Sequence, residues 1–219
     1  MKLLALTTSG VRAQLGLFLD GRPFVLENPN PRQHSEWLHA SIDGLFRQNG
    51  MTAADLNGIA VDLGPGSFTG LRVGFQLAQS FVYANGTPLF TATSSQILAA
   101  GLPGSVICGA NAFRNLVYAA EFHAGREVRA PHVVTAEDFA ADLRARAIGP
   151  SQFTFVGDAF TKMSVLSELN FPLKRELPDV ESLAQLALHA GPDLWTHDWK
   201  SKTPLYLRGS EAEEKAKIK

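Results

Sequence analysis

The chain has one cysteine in 219 residues, which excludes an internal disulfide and a cysteine-ligated metal site and fits a reducing compartment. An excess of charge of one sign is also missing. Lys and Arg total 20 and Asp and Glu total 21, a formal net charge of -1, so nothing draws the whole chain onto nucleic acid or anionic lipid. Long hydrophobic runs are absent too: Gly, Arg or Gln breaks every apolar window well short of the ~20 residues that cross a bilayer. The opening from Met1 to Ser9 leads into polar residues without the small-residue cleavage pattern of a signal peptide. A cytoplasmic protein with no membrane segment is expected. Charge as such is sparse, 19% against 45% hydrophobic residues, which points to surface that does not face water, and so to a partner. At roughly 100–200 residues per domain, the length makes one large domain or two small ones.

What is present is one pattern that occurs twice. Lys2 to Thr8 is an apolar β-type run, Gln14 to Leu19 places Leu15, Leu17 and Leu19 on one side, and Asp20-Gly21 is a hairpin signal before Pro23 to Leu26. His34 to Gln48 then carries Leu38, Ile42, Leu45 and Phe46 at helical spacing, and Asn49-Gly50 ends it. Thr52 and Asp55 form a capping box. Gly58 to Leu63 reads as a strand, Gly64 to Thr69 as a loop, Gly70 to Ala84 as a helix and Pro88 to Ala92 as a strand, with a helix from Ser94. Behind Gly101-Leu102-Pro103-Gly104 the order returns. Strands Ser105 to Cys108, Leu116 to His123 and Glu127 to Val134 precede an amphipathic helix, Thr135 to Ala147, and a strand, Phe153 to Val156. A duplicated β-β-β-α-β-α unit predicts an α/β protein with two lobes, each a mixed sheet with helices: residues 1–103 and 104–209, followed by a charged, solvated tail at 210–219.

Two such halves facing each other are the plan of actin, sugar kinases and chaperone ATPases, in which ATP sits between the halves and acidic residues at the ends of the first strands hold Mg²⁺ through water. Superposing Gly21 on Gly125 brings Thr7 onto Asn111. Both are neutral where the plan needs carboxylates, so no metal site is expected. Thr8, Ser9 and Gly66 are what remains to contact a phosphate.

Gly64-Pro65-Gly66-Ser67-Phe68-Thr69-Gly70 follows a strand and opens a helix, where backbone N–H groups can bind an anion. It fails as a Walker loop, having no Gly-Lys-Ser/Thr, and as a dinucleotide fingerprint, whose third glycine would fall one residue earlier. The plainer reading is a tight turn whose glycines let strand and helix pack closely, with Ser67 or Thr69 as the helix cap. In the helix that follows, Gly70, Gly74 and Ala78 form a small-residue stripe. Leu71, Phe75 and Val82 form one apolar stripe, Val73, Leu77 and Phe81 another, and only Arg72, Gln76, Gln79 and Ser80 are polar. Burial on two sides is expected: the sheet on one, and on the other either more core or a partner.

The other candidates are bland. His34 and His39 differ by about 140° around a helix and cannot share one metal ion; His34-Ser35-Glu36 reads as a helix start. Cys108 lies in an apolar strand with no cation near it in sequence, as an inert core thiol would. Ser67 lacks a nucleophile elbow, and no catalytic set is found. Trp195, His197 and Trp199 read as a hydrophobic clasp against the body.

The run from Gly64 to Gly74 resembles the signature of the bacterial TsaB (YeaZ) family, partner proteins in threonylcarbamoyl-adenosine modification of tRNA. Further matches are Leu3-Leu4-Ala5-Leu6-Thr7-Thr8-Ser9, His34-Ser35-Glu36, Val117-Tyr118 and Pro204-Leu205-Tyr206-Leu207-Arg208. The similarity is dense up to about Ala92. It implies a duplicated actin-like (RNase H-like, ASKHA) fold and a non-catalytic paralogue that binds and activates the metal-dependent transferase TsaD. It also implies a TsaE-type P-loop ATPase as third component, a homodimer when alone, no cofactor, and tRNA met mainly through the complex. In that family the helices from His34 and Gly70 carry the dimer contacts, which makes Leu38, Ile42, Gly70, Leu71, Arg72, Gly74, Phe75 and Ala78 the expected partner interface. This chain departs from the family where Thr7 replaces Asp and where Asn111-Ala112-Phe113 replaces Asp-Ala-Arg. The rival reading is a stand-alone actin-like ATP-binding kinase or ATPase that uses Ser9 and Gly66 for phosphate.

Overall fold

A computed structural model describes residues 1–28, 30 and 34–209; the expected tail at 210–219 lies outside them. The chain divides into two compact units: Met1–Ile97 together with Pro178–Leu205, and Leu98–Leu177 together with the described residues from Tyr206. No helix among the described residues is long and apolar enough to cross a membrane.

In the first unit the strands are β1 (Lys2–Thr7), β2 (Ala13–Leu19), β3 (Arg22–Asn28), β4 (Gly58–Asp62) and β5 (Leu89–Ala92). Asp20 and Gly21, at φ 49° and 87°, make the two-residue turn of the β2–β3 hairpin. β1 is antiparallel to β2, from Lys2↔Leu19 to Thr7↔Gln14, and parallel to β4, which is parallel to β5. Parallel strands at a sheet's centre are covered on both faces, so they read as continuous apolar runs. The alternation along β1 accordingly serves two cores. Leu4 and Leu6 pack with Leu38 and Ile42 of α1 (His34–Gln48) and with Phe75 and Ala78 of α2 (Phe68–Asn85). Leu3 and Ala5 face the other way. Burying each such leucine contributes roughly 1.5–3 kcal/mol.

What covers that second face corrects the expected lobe boundary, because residues 178–205 belong to the first unit rather than the second. With α3 (Ser94–Ala99) leading out of this unit, the returning helix α7 (Val180–Leu188) lays Val180, Leu183, Ala184 and Ala187 on Leu3, Ala5 and Phe18. Asp179 caps it by accepting from Ser182 N at 2.7 Å. The short strand β11 (Trp195–Thr196) then pairs with the β5 edge, giving the order β11-β5-β4-β1-β2-β3. Trp195 packs on Phe90 with the rings tilted at 47° and their centroids 5.6 Å apart, and Trp199 packs on the α1/α2 core, the clasp expected from the sequence.

The second unit repeats the plan with β6 (Ser105–Asn111), β7 (Leu116–His123), β8 (Arg126–Thr135), β9 (Phe153–Val156) and β10 (Leu173–Arg175), in the order β10-β9-β6-β7-β8. Pairing directions match the first unit strand for strand. α4 (Ala136–Ala145), capped by Thr135, stands where α1 stands in the first. α5 (Ala159–Lys162) and α6 (Ser164–Ser167) follow β9, and Phe155 stacks on Phe171 at 3.9 Å in their core. The β6–β7 turn places Phe113, Arg114 and Asn115 in succession at φ 59°, 52° and 62°. For residues with a Cβ the left-handed conformation costs roughly 1–2 kcal/mol each. Local bonds hold it: Phe113 N to Asn111 Oδ1 at 2.8 Å, Asn115 Nδ2 to the Glu137 carboxylate, and the Arg208 guanidinium to the carbonyls of Ala112 and Phe113.

On the face of this sheet that α4 covers, the Arg146 guanidinium forks onto Glu121 at 2.5 and 2.7 Å and reaches Asp142 at 2.9 Å, tying β7 to the end of α4. This donation holds the Glu121 carboxyl below its ordinary value of 4.5. The stability it contributes is therefore present above pH 4.5 and lost as pH falls below it. Glu121→Gln is expected to flatten that acid limb in urea melts and to cost about 1 kcal/mol at pH 7, discounted for the half-exposed arginine.

Candidate functional site

The locus that an actin-like plan reserves for metal and phosphate lies where β1 and β4 end side by side, with Leu6 opposite Val61. Its centre is Asp62, the last residue of β4, which is 1% exposed. Oδ2 accepts from Thr7 Oγ1 at 2.8 Å and Ser9 Oγ at 2.5 Å, and Oδ1 from Gly64 N at 2.8 Å and Ser94 Oγ at 2.7 Å. Four donors fill the four acceptor directions of a carboxylate. Burial pushes the Asp62 carboxyl above the ordinary range, while the four bonds pull the other way.

The glycine motif closes on the same strand end. Ser67 N donates to Ser9 O at 2.7 Å, Thr8 Oγ1 donates to Gly70 O at 2.7 Å, and Ser67 Oγ caps α2 by accepting from Gly70 N. A Cβ on Gly66 or Gly70 would overlap the carbonyl of Ser9 or Thr8, and one on Gly74 would overlap Thr8 Oγ1. The turn is thus a packing device, as its failed fingerprints suggest, and α2 starts two residues earlier than its spacing predicts. Thr8, Ser9 and Gly66, the phosphate candidates, are brought together here, with Thr8 and Ser9 buried and their hydroxyls donating inside the protein.

At the corresponding end of β6, Asn111 N donates to Asp158 Oδ1 at 2.8 Å, and Lys162 Nζ reaches Asp158 Oδ2 at 2.7 Å. A lysine ammonium takes the side of the carboxylate that a cation would use. Neither locus fits a hard dication: one carboxylate is enclosed by hydroxyls and the other is paired with an amine. Asp62 and Asp158 are not among the sequence candidates, yet Asp62 ends a short apolar strand two residues before the positive-φ Gly64, and Asp158 follows a second such strand directly after the positive-φ Gly157. That repeated placement is the signal that could have found them.

The expected interface residues lie mostly inside. Leu38, Ile42, Leu71, Phe75 and Ala78 are buried in the first unit's own core, and Gly70 and Gly74 face Thr8. Only Arg72 is exposed, its guanidinium 5.7 Å from the Phe68 ring. The second buried side of α2 is covered by α1, with Phe46 edge-on to Phe81, and by Trp199. His39 Nδ1 meets Ser35 O at 2.8 Å, and Cys108 is buried with its thiol pushed up by desolvation.

Two sheets that share one five-strand order, with β11 added at the edge of the first, define the duplicated actin-like (RNase H-like) class. Solved structures from Pseudomonas aeruginosa share this fold: an uncharacterized protein with similarity to peptidase YeaZ, at TM-score 0.77 and 24% identity over 94% of this chain and 99% of that one, and YeaZ itself, at 0.74 and 22% over 94% and 100%. The TsaD family model, described as tRNA N6-adenosine threonylcarbamoyltransferase, matches residues 29–214. The chain belongs to that family. It is 28% identical over 101 residues to the tRNA threonylcarbamoyladenosine biosynthesis protein TsaB of Escherichia coli (strain K12), 46% of this chain and 44% of that protein. It is 26% identical over 170 residues to the tRNA N6-adenosine threonylcarbamoyltransferase of Streptococcus pneumoniae (strain P1031), 75% of this chain and 43% of that protein. The chain spans about half the length, or less, of these curated relatives.

Two substitutions test the site. Asp62→Ala strands four donors and is expected to cost about 3 kcal/mol in denaturant melts, whereas Asp62→Asn stays within about 1 kcal/mol because the Thr7 and Ser9 hydroxyls can turn to accept its amide. With its folded value raised, Asp62 lowers stability as pH climbs from 3.8, and that decline disappears in the Asn variant. Gly74→Arg drives a side chain into Thr8, so it is expected to destabilise the unit by about 3 kcal/mol or more in thermal melts.

Proposed function

We propose that the chain is a non-catalytic partner subunit in threonylcarbamoyladenosine modification of tRNA, which binds and activates a TsaD-type transferase. A TsaE-type P-loop ATPase completes the set, the chain alone forms a homodimer, and tRNA is met mainly by the assembled complex. One observation carries the reading: at both strand ends where an actin-like enzyme would hold metal and phosphate, this chain's own groups are bonded to one another, Asp62 by Thr7, Ser9, Gly64 and Ser94, and Asp158 by Asn111 and Lys162. Family membership supports the pathway.

The docking surface is the outer ridge of α2, where Arg72, Gln76, Ser80 and the 80% exposed Tyr83 follow one another at helical spacing. The outer face of α1, with Ala40 and Asp43, lies beside it. An exposed arginine and tyrosine are the side chains that anchor interfaces.

Co-expression with the transferase tests the assignment. The wild-type chain is expected to co-purify, and Arg72→Glu or Tyr83→Ala to weaken the pairing about tenfold or more with an unchanged melt, since both side chains project outward. Calorimetry with Mg·ATP on the chain alone is expected to detect no micromolar binding. Micromolar affinity with turnover would establish the stand-alone kinase or ATPase instead.

A further inference from the structure

We infer that the free edge of β3 is where two copies of this chain pair, antiparallel and about a twofold axis at Val25, so that the first sheets of both copies become continuous. The inference deepens the homodimer of the proposed function and rests on it. The helices expected to carry that dimer bury their apolar residues inside the first unit, Leu38 and Ile42 from α1 and Phe75 and Ala78 from α2. A dimer therefore needs another surface.

A sheet edge is a row of unpaired N–H and C=O groups, and soluble proteins blunt it with short strands, bulges, proline or charge. Among the described residues the two sheets end in β11, β3, β10 and β8. β11 has two residues and β10 has three. β8 shifts register twice against β7, between Ala119 and Glu121 and between Glu121 and Phe122, and it carries Pro131 as well as Arg126 and Arg129. β3 is the one edge of these that is both long and unbroken, in register with β2 from Leu19↔Arg22 to Ala13↔Asn28. It leaves Val25 39% and Leu26 38% exposed.

The register selects a second copy as the occupant. In a hairpin with a two-residue turn, the pair flanking the turn exchanges hydrogen bonds, and every second pair after it does the same. Arg22, Phe24, Leu26 and Asn28 therefore bond to β2, while Pro23, Val25 and Glu27 turn their backbone groups outward. Two such edges, antiparallel with Val25 opposite Val25, complement each other. Val25 N donates to Val25 O of the second copy and Glu27 N to its Pro23 O, each repeated by the twofold. The N–H that proline lacks falls at the ends of this ladder. Side chains match as well, since Phe24 meets the second copy's Leu26 on the α1 side of the sheet and Val25 meets Val25 on the other. Glu27 brings no unmatched charge, because its carboxylate already accepts from Arg12 and Gln14. α1 packs against both β3 and α2, so this edge and the α2 ridge are separate surfaces.

Sedimentation of the purified chain over a range of concentrations tests the pairing. The wild type is expected to dimerise, and Val25→Lys to weaken the dimer about tenfold by setting like charges opposite each other. An equimolar mixture of Val25→Lys and Val25→Glu chains is expected to restore it, because the two side chains meet only across the twofold. That mixture decides the matter even if one variant alone melts early. A dimer that Val25→Lys leaves at wild-type strength, or a mixture that stays monomeric, overturns the inference and leaves the homodimer and the transferase pairing standing. A wild-type chain that is monomeric at every concentration overturns the homodimer, and the inference with it, while co-purification with the transferase still tests the rest of the proposed function.

Discussion

The hydrogen bonds that converge on Asp62 join three pieces of chain that the sheet alone would leave separate. Thr7 and Ser9 bring in the end of β1, Gly64 the start of the glycine turn, and Ser94 the first turn of α3. A carboxylate removed from water costs several kcal/mol unless its acceptor directions are filled, so the four donors are a condition for burial at this position. Once Ser9 is fixed, the glycine turn settles on it, and α2 approaches β1 as closely as Gly66, Gly70 and Gly74 allow. The position of the helix that presents Arg72 and Tyr83 thus follows from a network centred on one acidic side chain.

The two units meet the same requirement differently. Each carries an aspartate at the end of a parallel strand or just past it, within two residues of a glycine with positive φ. The first surrounds it with hydroxyls and a backbone N–H, while the second sets a lysine ammonium against it. Both solutions use groups of the chain itself where a nucleotide-handling protein of this class would leave room for a bound cation. Thr7 supplies its hydroxyl to the first of these centres, whereas Asn111 supplies only its backbone N–H to the second.

Much of this was legible in the sequence, for identifiable reasons. The meanders declared themselves through period-2 alternation and the Asp20-Gly21 and Ala124-Gly125 turns, and α1 and α4 through 3.6-residue stripes. The glycine turn was legible as packing because it failed the spacing of both phosphate motifs. The return of α7 to the first sheet was not, because an amphipathic stripe does not say which sheet face lacks a cover. The stripe of Gly70, Gly74 and Ala78 was legible only as a close approach, and Thr8 lies against Gly70 and Gly74. Small residues announce close approach, but spacing alone does not distinguish a partner helix from the hydroxyl of Thr8 in the same chain. Asp62 was passed over because an aspartate ending an apolar strand looks like an ordinary strand terminator. Its role appears only when Thr7, Ser9 and Ser94, distant in sequence, converge on it.

The most direct test of the central claim is the threonylcarbamoyladenosine content of bulk tRNA, measured by mass spectrometry in cells depleted of this chain while the transferase remains. The account predicts that the modified nucleoside falls on depletion and returns when the wild-type chain is resupplied. Undiminished modification in depleted cells would contradict it.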